Sequence, residues 1–359
     1  MISRESIQNV IEAGARAPSG SNSQPWRFEV SGEAVSIFMM PEKDHPILNV
    51  KNRGTMLANG AVIKNMLVAA DHFGLKSSLA IFPDSSDKNL IATIAFSQDG
   101  MNEPNVESDA LFEAISKRAT NRKPYDEKLL SDGEKKNILD TLGRDVPSYI
   151  VLKFTDDRAH IERLAAAASK NEIVLFEDKR LHELFFKEIV WTEREEKEKK
   201  EGLFLATMEL PPPAAAALRV FKFWPLMNMV NRLGFARKIA TDNATGYARC
   251  SWYGAVICSD SDEGFVKAGM AIEGVWLAAT ALGLSFHLQT GVNFLWQRSD
   301  AEGKEFFSGE HEAIIRKAYD DMVEVFGAEE GSVPAIFRIG FAGEPSARSS
   351  KKAPKITFH

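Results

Sequence analysis

The chain has 359 residues, of which 44% are hydrophobic and 26% charged, and its net charge is −6. That length fits two ordinary domains or one large intertwined unit, and the negative charge argues against non-specific nucleic-acid binding. Cys250 and Cys258 are the only cysteines, which excludes a disulfide scaffold and a CxxC zinc site and predicts a reduced, cytoplasmic compartment.

The first residues predict an amphipathic helix rather than a signal peptide. Ser3 is suited to cap the helix, and Ile7, Val10 and Ile11 form one apolar stripe behind it. Pro18 is predicted to end the helix. The segment lacks the long apolar core of a signal peptide, and no apolar run in the chain reaches the roughly 18 residues needed to span a bilayer.

A hairpin, a long helix and a strand are predicted next. The run "WRFEVSGEAVSIFMMP" alternates on both sides of a Ser-Gly-Glu turn, which is typical of a β-hairpin. Met56–Leu75 carries Ala, Val, Ile, Leu or Met on almost every face and predicts a buried helix. "NLIATIAFS" predicts a strand, and the polar stretch Gln98–Ser108 predicts a connector.

The second half of the chain repeats this pattern. Val266–Leu288 aligns without gaps on Leu57–Leu79, and the alignment pairs Gly60 with Gly269. Each helix is followed, at different distances, by a similar strand, "NLIATIAFS" in one case and "AIFRIGFAG" in the other. Any two buried alanine-rich helices look alike, but because the strands agree as well, we predict an internal duplication with the two helices packed closely together.

An insert at about Glu172–Arg249 has no counterpart in the first half. Its run "TEREEKEKKEG" predicts a solvated helix face. The run "ELPPPAAAALRVFKFWPLMNMVNRLGF" could be a membrane-surface helix, a lid over a cavity, a dimer-packing element or plain core. Only Arg219 and Lys222 precede Arg232, which is few for a membrane helix, so a lid or dimer-packing element is favoured.

Several familiar chemical motifs are absent from the sequence. There is no GxGxxG, Walker A, HExxH or GxSxG pattern. The seven histidines are scattered, and no two of them are spaced i, i+4, so no metal site is predicted. His72 and His287 lie near the ends of the repeated helices and are predicted to be capping or packing residues.

Two short basic segments remain. In "ISKRATNRKPYDEKLLS", Arg118, Thr120 and Arg122 alternate, so an extended backbone would place them on one face. Two guanidinium groups and a hydroxyl on one face suit an anion such as a phosphate, although a solvated loop paired with the neighbouring carboxylates would look the same. In "GEPSARSSKKAP", Arg348 and Lys351 stand among serines, which alone indicates only a basic tail.

Together these segments resemble the motifs of the nitroreductase family. "APSGSNSQPWRF" resembles its flavin-edge motif, whose usual form is close to APSxxNxQPW. The matching residues are Ala17, Pro18, Ser19, Asn22, Gln24, Pro25 and Trp26. "KRATNRKPY" resembles the opening RRSxRxF motif, with Ala119 in place of the common Arg or His. "FRIGFAGEPSARSSKKAP" resembles the closing strand and Arg-bearing tail, and "AGMAIEGVWLAATALGL" the dimer-interface helix.

The order of the motifs is unusual for that family. An ordinary subunit begins with the basic motif, and two subunits then build flavin sites at their interface. Here residues 1–105 carry the PSxxNxQPW loop and residues 106–359 the basic motif and tail. The corresponding "GRDVPSYIVLKF" keeps Pro147 and Ser148 but lacks the Asn, Gln and Trp. The resemblance thus implies an α+β fold, a nitroreductase-like three-layer α/β/α sandwich whose two tandem halves form an intramolecular pseudo-dimer with one flavin site, and the insert 172–249 is the candidate lid.

The resemblance implies FMN as cofactor and assigns each matching residue a role. Arg118 and Arg348 would meet the phosphate, with Lys351 as a further contact, and Thr120 would bond the phosphate or ribityl chain. Arg122 would lie near the N1–O2 edge of the ring, where negative charge builds on reduction. The ring edge and the loop beside it would be formed by Pro18, Ser19, Asn22 and Gln24. Backbone groups near N5 would come from Gln289, Thr290 and Gly291.

The implied activity is that of an NAD(P)H-dependent oxidoreductase working by a ping-pong scheme on a nitroaromatic, quinone or similar small-molecule acceptor. The flavin carries the chemistry, so no catalytic side chain and no metal are expected. A flavin-binding or sequestering protein with little NAD(P)H turnover is the alternative if the insert covers the site. The intact motifs argue against a flavin-free scaffold. The fused chain would act as a monomer or a homodimer.

Overall fold

The first helix of the chain begins where the sequence predicts. The computed structural model describes residues 2–98, 106–142, 150–302 and 306–359. Helix α1 spans Arg4–Gly14, and the Ser3 hydroxyl accepts a hydrogen bond from the Ser6 amide, as expected of an N-cap. The predicted apolar stripe is buried. The helix ends before Pro18 is reached, because the chain already turns at Ala15.

The first half consists of one antiparallel sheet and a long helix that packs against it. Its elements are β1 (Trp26–Ser31), β2 (Ala34–Met39), α2 (Arg53–His72), β3 (Lys76–Ile81) and β4 (Leu90–Ser97). The strand order is β1-β2-β4-β3, which confirms the predicted hairpin and strand. Helix α2 lies three residues earlier than predicted at both ends. It ends at His72 because Gly74 adopts a left-handed φ of +69° that stops the helix.

The second half contains a longer series of elements. They are α3 (Val106–Lys117), α4 (Asp132–Leu142), β5 (Val151–Thr155), α5 (Arg158–Ala168), α6 (Lys170–Glu177), α7 (Lys179–Glu188), β6 (Ile189–Val190), α8 (Glu193–Lys199), β7 (Leu203–Phe204), α9 (Pro212–Phe221), α10 (Trp224–Asn231), α11 (Phe235–Ala248), β8 (Trp252–Cys258), α12 (Asp262–Ala281), β9 (Ser285–Gln289), α13 (Gly291–Glu302), α14 (Gly309–Phe326), β10 (Ser332–Gly340) and β11 (Ile356–Phe358). The predicted connector 98–108 lies mostly outside the described residues, and α3 already begins at Val106.

The two halves share one topology. The second sheet has the order β5-β8-β10-β9, which corresponds strand for strand to β1-β2-β4-β3, and its neighbouring strands are again antiparallel. Helices α2 and α12 are both 20 residues long, and the alignment that pairs Gly60 with Gly269 also pairs their first and last residues. Both helices end alike, with Gly74 and Gly283 at positive φ.

The two long helices pack directly on each other through the glycines that the alignment pairs. A Cβ at Gly60 would overlap the Val266 carbonyl oxygen, and a Cβ at Gly269 would overlap the Leu57 carbonyl oxygen. Because backbone lies on both sides of the contact, only glycine permits this approach. The predicted close packing of the repeated helices is therefore confirmed.

The layers follow from what covers each sheet. The second sheet lies between α12 on one face and α5 and α14 on the other, and its central strands β8 and β10 are buried throughout. The first sheet packs one face on α2. Strand β11 crosses to the first sheet and pairs in parallel with β1, where Phe28 is opposite Ile356. The prediction of an α+β, α/β/α-layered fold with two tandem halves is confirmed.

The insert lies between β5 and β8. At the corresponding place in the first half, β1 and β2 are joined by a tight turn at Gly32, whose φ is +58°. Within the described residues, the insert has an aromatic-rich core of its own, which includes Phe176, Phe186 and Met227. None of the helices in the described part of the chain is both long enough and apolar enough to cross a bilayer.

Candidate functional site

A cleft opens where the first half, the basic segment, the insert and the tail meet. Its volume is about 190 Å³. Eight of the residues predicted to bind the cofactor line it, namely Pro18, Ser19, Asn22, Arg118, Thr120, Arg122, Arg348 and Lys351. The structure therefore brings together in one cavity residues that lie at both ends and in the middle of the sequence.

The loop after α1 has a strained backbone. Ser21, Asn22 and Gln24 all have positive φ, between 45° and 54°, although glycine is the residue that usually takes such values. The Ser19 hydroxyl accepts a hydrogen bond from the Gln24 amide at 2.9 Å and closes the loop on itself. Non-glycine residues keep such conformations only where surrounding contacts hold them, and such strain concentrates at functional sites.

Those surrounding contacts come from the insert. The Gly202 amide donates to the Ser21 carbonyl at 2.7 Å. The Asn22 and Gln24 side-chain amides both donate to the Lys200 carbonyl, at 3.1 and 2.7 Å. The Ser21 hydroxyl donates to Glu188 at 2.5 Å. The insert therefore fixes the loop by backbone as well as side-chain hydrogen bonds.

The basic segment lies along the edge of the second sheet. Thr120 forms a single parallel bridge with Phe286, which keeps this stretch extended, so that Arg118, Thr120 and Arg122 all reach the same cleft. The Arg122 guanidinium donates to the Thr207 carbonyl at 2.9 Å. Burial lowers the pKa of Arg122, while Tyr247 is the first of the neighbours that oppose the shift.

Arg118 is held from behind by a buried carboxylate. Its Nε lies 3.0 Å from a carboxylate oxygen of Glu273, and the two side chains are 7% and 0% exposed. The guanidinium also stands 4.5 Å from the centre of the Trp276 ring, and it donates to the Arg16 carbonyl at 2.8 Å. Burial raises the pKa of Glu273, and the charge of Arg118 opposes that rise. Arg118 thus enters the cleft with its position fixed and part of its charge neutralised.

The tail places a lysine between the two halves. The Lys351 ammonium donates to the Ala17 carbonyl at 2.6 Å and to the Asn22 side-chain oxygen at 2.8 Å. Burial, followed by the nearby Arg118, lowers the pKa of Lys351 to about 7. Arg348 is more exposed and pairs with Glu344 at 2.7 Å. Lys351 is therefore the cation most closely tied to the strained loop.

Four predicted residues lie outside the lining of this cleft. The Gln24 side chain is used within the protein, since its oxygen accepts from the Lys352 amide at 2.8 Å while its nitrogen holds the loop and the insert. Gln289 accepts from the Tyr253 hydroxyl at 2.6 Å. Thr290 and Gly291, at the start of α13, likewise lie outside the lining.

Sequence reasoning missed the residues that support the cleft and part of its wall. Glu273 and Trp276 hold Arg118 from within α12, and a charged residue in the middle of a buried helix was a signal that a partner must exist. On the insert side the cleft is lined by Gly202, Leu203 and Thr207, for which the sequence offered no signal. Within the described residues, the aromatic run in α9 and α10, favoured as a lid or dimer-packing element, contributes nothing to this lining.

The place where the second half would repeat the loop cannot be compared with the first. Residues 143–149, which include Pro147 and Ser148 of "GRDVPSYIVLKF", lie outside the described residues. The predicted loss of a second site therefore stays a prediction.

Comparison with known proteins supports the resemblance carried by the motifs. No protein-family model matches the chain. It is 25% identical over 351 residues to "Uncharacterized protein MT1398" of Mycobacterium tuberculosis, covering 96% of this chain and 47% of the relative. It is 30% identical over 121 residues to "Putative NAD(P)H nitroreductase MT3217" of the same organism, covering 34% of each.

A further relative and one solved structure complete the comparison. "Putative NAD(P)H nitroreductase acg" of Mycobacterium tuberculosis is 29% identical over 194 residues, 54% of this chain and 55% of that protein. The chain thus spans between about a third and about half of the length of these relatives. The crystal structure of the FMN-dependent nitroreductase NfnB from Mycobacterium smegmatis in complex with NADPH superimposes with a TM-score of 0.39 and 11% identity, over 67% of this chain and 91% of that one. In sequence, the chain resembles proteins named as NAD(P)H nitroreductases, as its motifs predicted.

Proposed function

We propose that the chain binds FMN in this cleft and acts as an NAD(P)H-dependent oxidoreductase. The observation that carries the proposal is the convergence of Pro18, Ser19 and Asn22 from one half with Arg118, Thr120 and Arg122 from the other. Proteins similar in sequence over part of their length are named as NAD(P)H nitroreductases, which supports the same activity here.

The side chains present fit the chemistry of FMN. The cleft is lined by three cations that suit a phosphate, Arg118, Arg348 and Lys351, and by several hydroxyl groups that suit a ribityl chain. Its volume of about 190 Å³ is below the roughly 300–1,000 Å³ of most small-molecule sites. We infer that a ring system enters only when the insert segment at Gly202 and Thr207 shifts outward.

Each group in the cleft has a task that follows from its chemistry. Arg348 and Lys351 bind the phosphate, and Glu273 with Trp276 orients Arg118 toward the same anion. Arg122 bonds the Thr207 carbonyl in this structure, and it would be freed by the outward shift of that segment to stabilise negative charge at the ring edge. The strained loop from Ser19 to Gln24 forms the opposite wall. When bound, FMN would supply two-electron exchange between NAD(P)H and a nitroaromatic, quinone or similar acceptor, in the ping-pong scheme that the family resemblance implies.

We also propose the division of the chain that the sequence suggested, with one half at residues 1–105, the other at 106–359 and the lid within 172–249. The shared strand order and the place of the insert between β5 and β8 support it. Because one chain supplies both walls of the cleft, a monomer suffices for the activity, and size-exclusion chromatography with light scattering tests that expectation.

One observation favours the alternative function. The hydrogen bonds from Gly202 and to Lys200 hold the insert against the strained loop, which is the arrangement expected of a protein that encloses its flavin and turns over little NAD(P)H. The two proposals share the cofactor and differ only in whether nicotinamide reaches it.

A visible spectrum of the purified protein, followed by anaerobic addition of NADPH and then NADH, tests both proposals. Bleaching of the flavin absorbance by either nucleotide supports the oxidoreductase. Bleaching by dithionite alone supports the sequestering protein. Lack of flavin absorbance, together with lack of binding when FMN is added, overturns both.

A further inference from the structure

Helices α9 and α10 of the insert are apolar on the side that faces solvent. On α9 the exposed positions include Val220 at 55%, and the α9–α10 turn presents Phe223 at 65%. On α10 and the turn after it, Met229 and Leu233 are 55% and 88% exposed. A surface helix of a water-soluble domain normally turns polar side chains outward, so this surface differs from an ordinary solvent face.

The inward side of the same helices is apolar as well. Leu218 and Met227 are buried in the insert's aromatic core, and Trp224 and Val230 pack against it. The protruding residues are therefore not core residues displaced by a rotation of the helices, because the core positions are already filled. These helices therefore carry apolar side chains on both faces, although Asn228 of α10 is exposed as well. Apolar side chains on both faces of a helix are expected where both faces are withdrawn from water.

The charged residues carried by α9, α10 and the turn after them, whose exposed apolar residues form a patch, are all basic, although Glu195 of α8 lies near Lys222. The segment from Leu210 to Thr241 contains basic residues and no acidic one, in a chain whose net charge is −6. Arg219 and Lys222 lie at the α9 end beside the Trp191 ring, at 5.1 and 5.9 Å from its centre. Arg232 lies at the other end of α10 and is exposed.

We propose that α9 and α10 dock this patch on an anionic lipid surface, lying in the plane of the bilayer. The cations are few for a membrane-surface helix, as the sequence indicated, but they stand at both ends of a short helix from which apolar side chains protrude. That arrangement matches the interfacial mode, in which the apolar groups enter the headgroup boundary and the cations meet lipid phosphates. A second copy of the chain fits less well, since a two-fold contact would set the cationic patch against itself.

The proposal does not depend on the flavin. The patch contributes no residue to the lining of the cleft in the described part of the chain. Vesicle binding can therefore fail while the proposed oxidoreductase activity stands, and the converse also holds.

Vesicle co-sedimentation of the full chain tests the proposal. Phosphatidylcholine vesicles with 30% phosphatidylglycerol are compared with phosphatidylcholine alone, at about 50 and 500 mM salt. We expect binding to the anionic vesicles that weakens at high salt. Phe223→Ser with Leu233→Ser is expected to lower the partition coefficient roughly tenfold or more. Substituting Gln for Arg219, Lys222 and Arg232 is expected to lower it about fivefold for each cation removed.

Matched variants outside the patch keep the test specific. Leu129 is 68% exposed and the Lys136 side chain 77% exposed, so Leu129→Ser and Lys136→Gln should leave the partition coefficient unchanged, with circular dichroism confirming that every variant is folded. No binding to anionic vesicles, equal binding to both kinds of vesicle, or equal loss in the control variants overturns the proposal. The proposal is also overturned if the protein binds no vesicles and sedimentation velocity shows a dimer that Phe223→Ser with Leu233→Ser converts to a monomer. A second copy of the chain would then cover the patch.

Discussion

Helices α2 and α12 have the same length, the same type of C-terminal turn and reciprocal glycine contacts, yet they carry opposite charges at one buried position. Where α2 carries Lys64, α12 carries Glu273 at the paired place, and both are buried. Glu273 holds Arg118 at the cleft. The half that supplies the basic motif thus carries the matching carboxylate, while the other half carries a cation there. The glycine contacts between the two helices are reciprocal, whereas the ion pair that holds Arg118 at the cleft is one-sided.

The largest expected effect comes from breaking that one-sided ion pair. Arg118→Met leaves the buried Glu273 carboxylate without its charge partner, which should cost about 3–5 kcal/mol of unfolding free energy. The double variant Arg118→Met, Glu273→Leu replaces the pair by apolar groups and should recover most of that loss. Urea unfolding followed by circular dichroism measures both.

The same variants distinguish the contribution of Arg118 to stability from its contribution to FMN binding. If Arg118 contacts the phosphate, the double variant stays folded but loses FMN during ultrafiltration. A double variant as unstable as the single one would show that the pair is not the reason for the loss of stability. A stable double variant that retains FMN fully would remove Arg118 from the phosphate site.

Because the glycine contacts of α2 and α12 are reciprocal, we expect the same substitution to lower the unfolding free energy equally in the two helices. Gly60→Ala and Gly269→Ala each push a methyl group into the backbone of the opposite helix, and each should cost about 3 kcal/mol. Gly246→Ala in α11 meets no heavy atom within 4 Å and should be neutral or slightly stabilising. Thermal unfolding of the three variants checks this, and clearly unequal losses at Gly60 and Gly269 would refute the symmetry.

The buried Lys351 at the cleft also predicts a pH dependence of cofactor binding. The pKa of Lys351 is about 7, so the free protein loses this charge as pH rises above 7. A bound phosphate raises that pKa, so binding takes up a proton and affinity falls with rising pH. Between pH 7 and 9, where a phosphate monoester is already dianionic, the FMN dissociation constant should rise by up to about tenfold per pH unit.

Variants at Lys351 show whether this residue causes the pH dependence of FMN binding. Lys351→Arg keeps its charge throughout this range and should give a flat profile by fluorescence titration, while Lys351→Met should be flat and weaker. An unchanged slope in Lys351→Met would mean that another group titrates.

The smallest effects concern the insert, which only the second half possesses. Glu196 is 6% exposed and accepts from the amide and hydroxyl of Ser350, whereas Glu201 pairs with Lys352 at a side-chain exposure near 40%. Glu196→Gln should cost about 1–2 kcal/mol and speed proteolysis near residue 200. Glu201→Gln should cost less than about 1 kcal/mol. Equal cleavage rates in limited proteolysis would contradict the distinction.

How much the sequence predicted depends on how local the cause was. Capping by Ser3, the hairpin and the glycine-paired helices follow from patterns within one segment and are found in the structure. The contact between Arg118 and Glu273 joins distant segments, so only the buried charge itself pointed to it. The contacts of Lys200 and Gly202 with the loop use backbone atoms, which every residue has, and no sequence pattern marks them.

The tail that adds β11 to the first sheet also affects the order in which parts of the molecule fold. Asn22 and Ser350, which are 328 positions apart, are joined by a hydrogen bond, and β1 gains β11 as a neighbour only once residues 356–358 exist. During synthesis β1 therefore remains an unpaired edge strand of the first sheet until the tail is made, and such an edge can pair with strands of other chains. Contacts of such long sequence separation form slowly, so the cleft is among the last parts of the molecule to be completed.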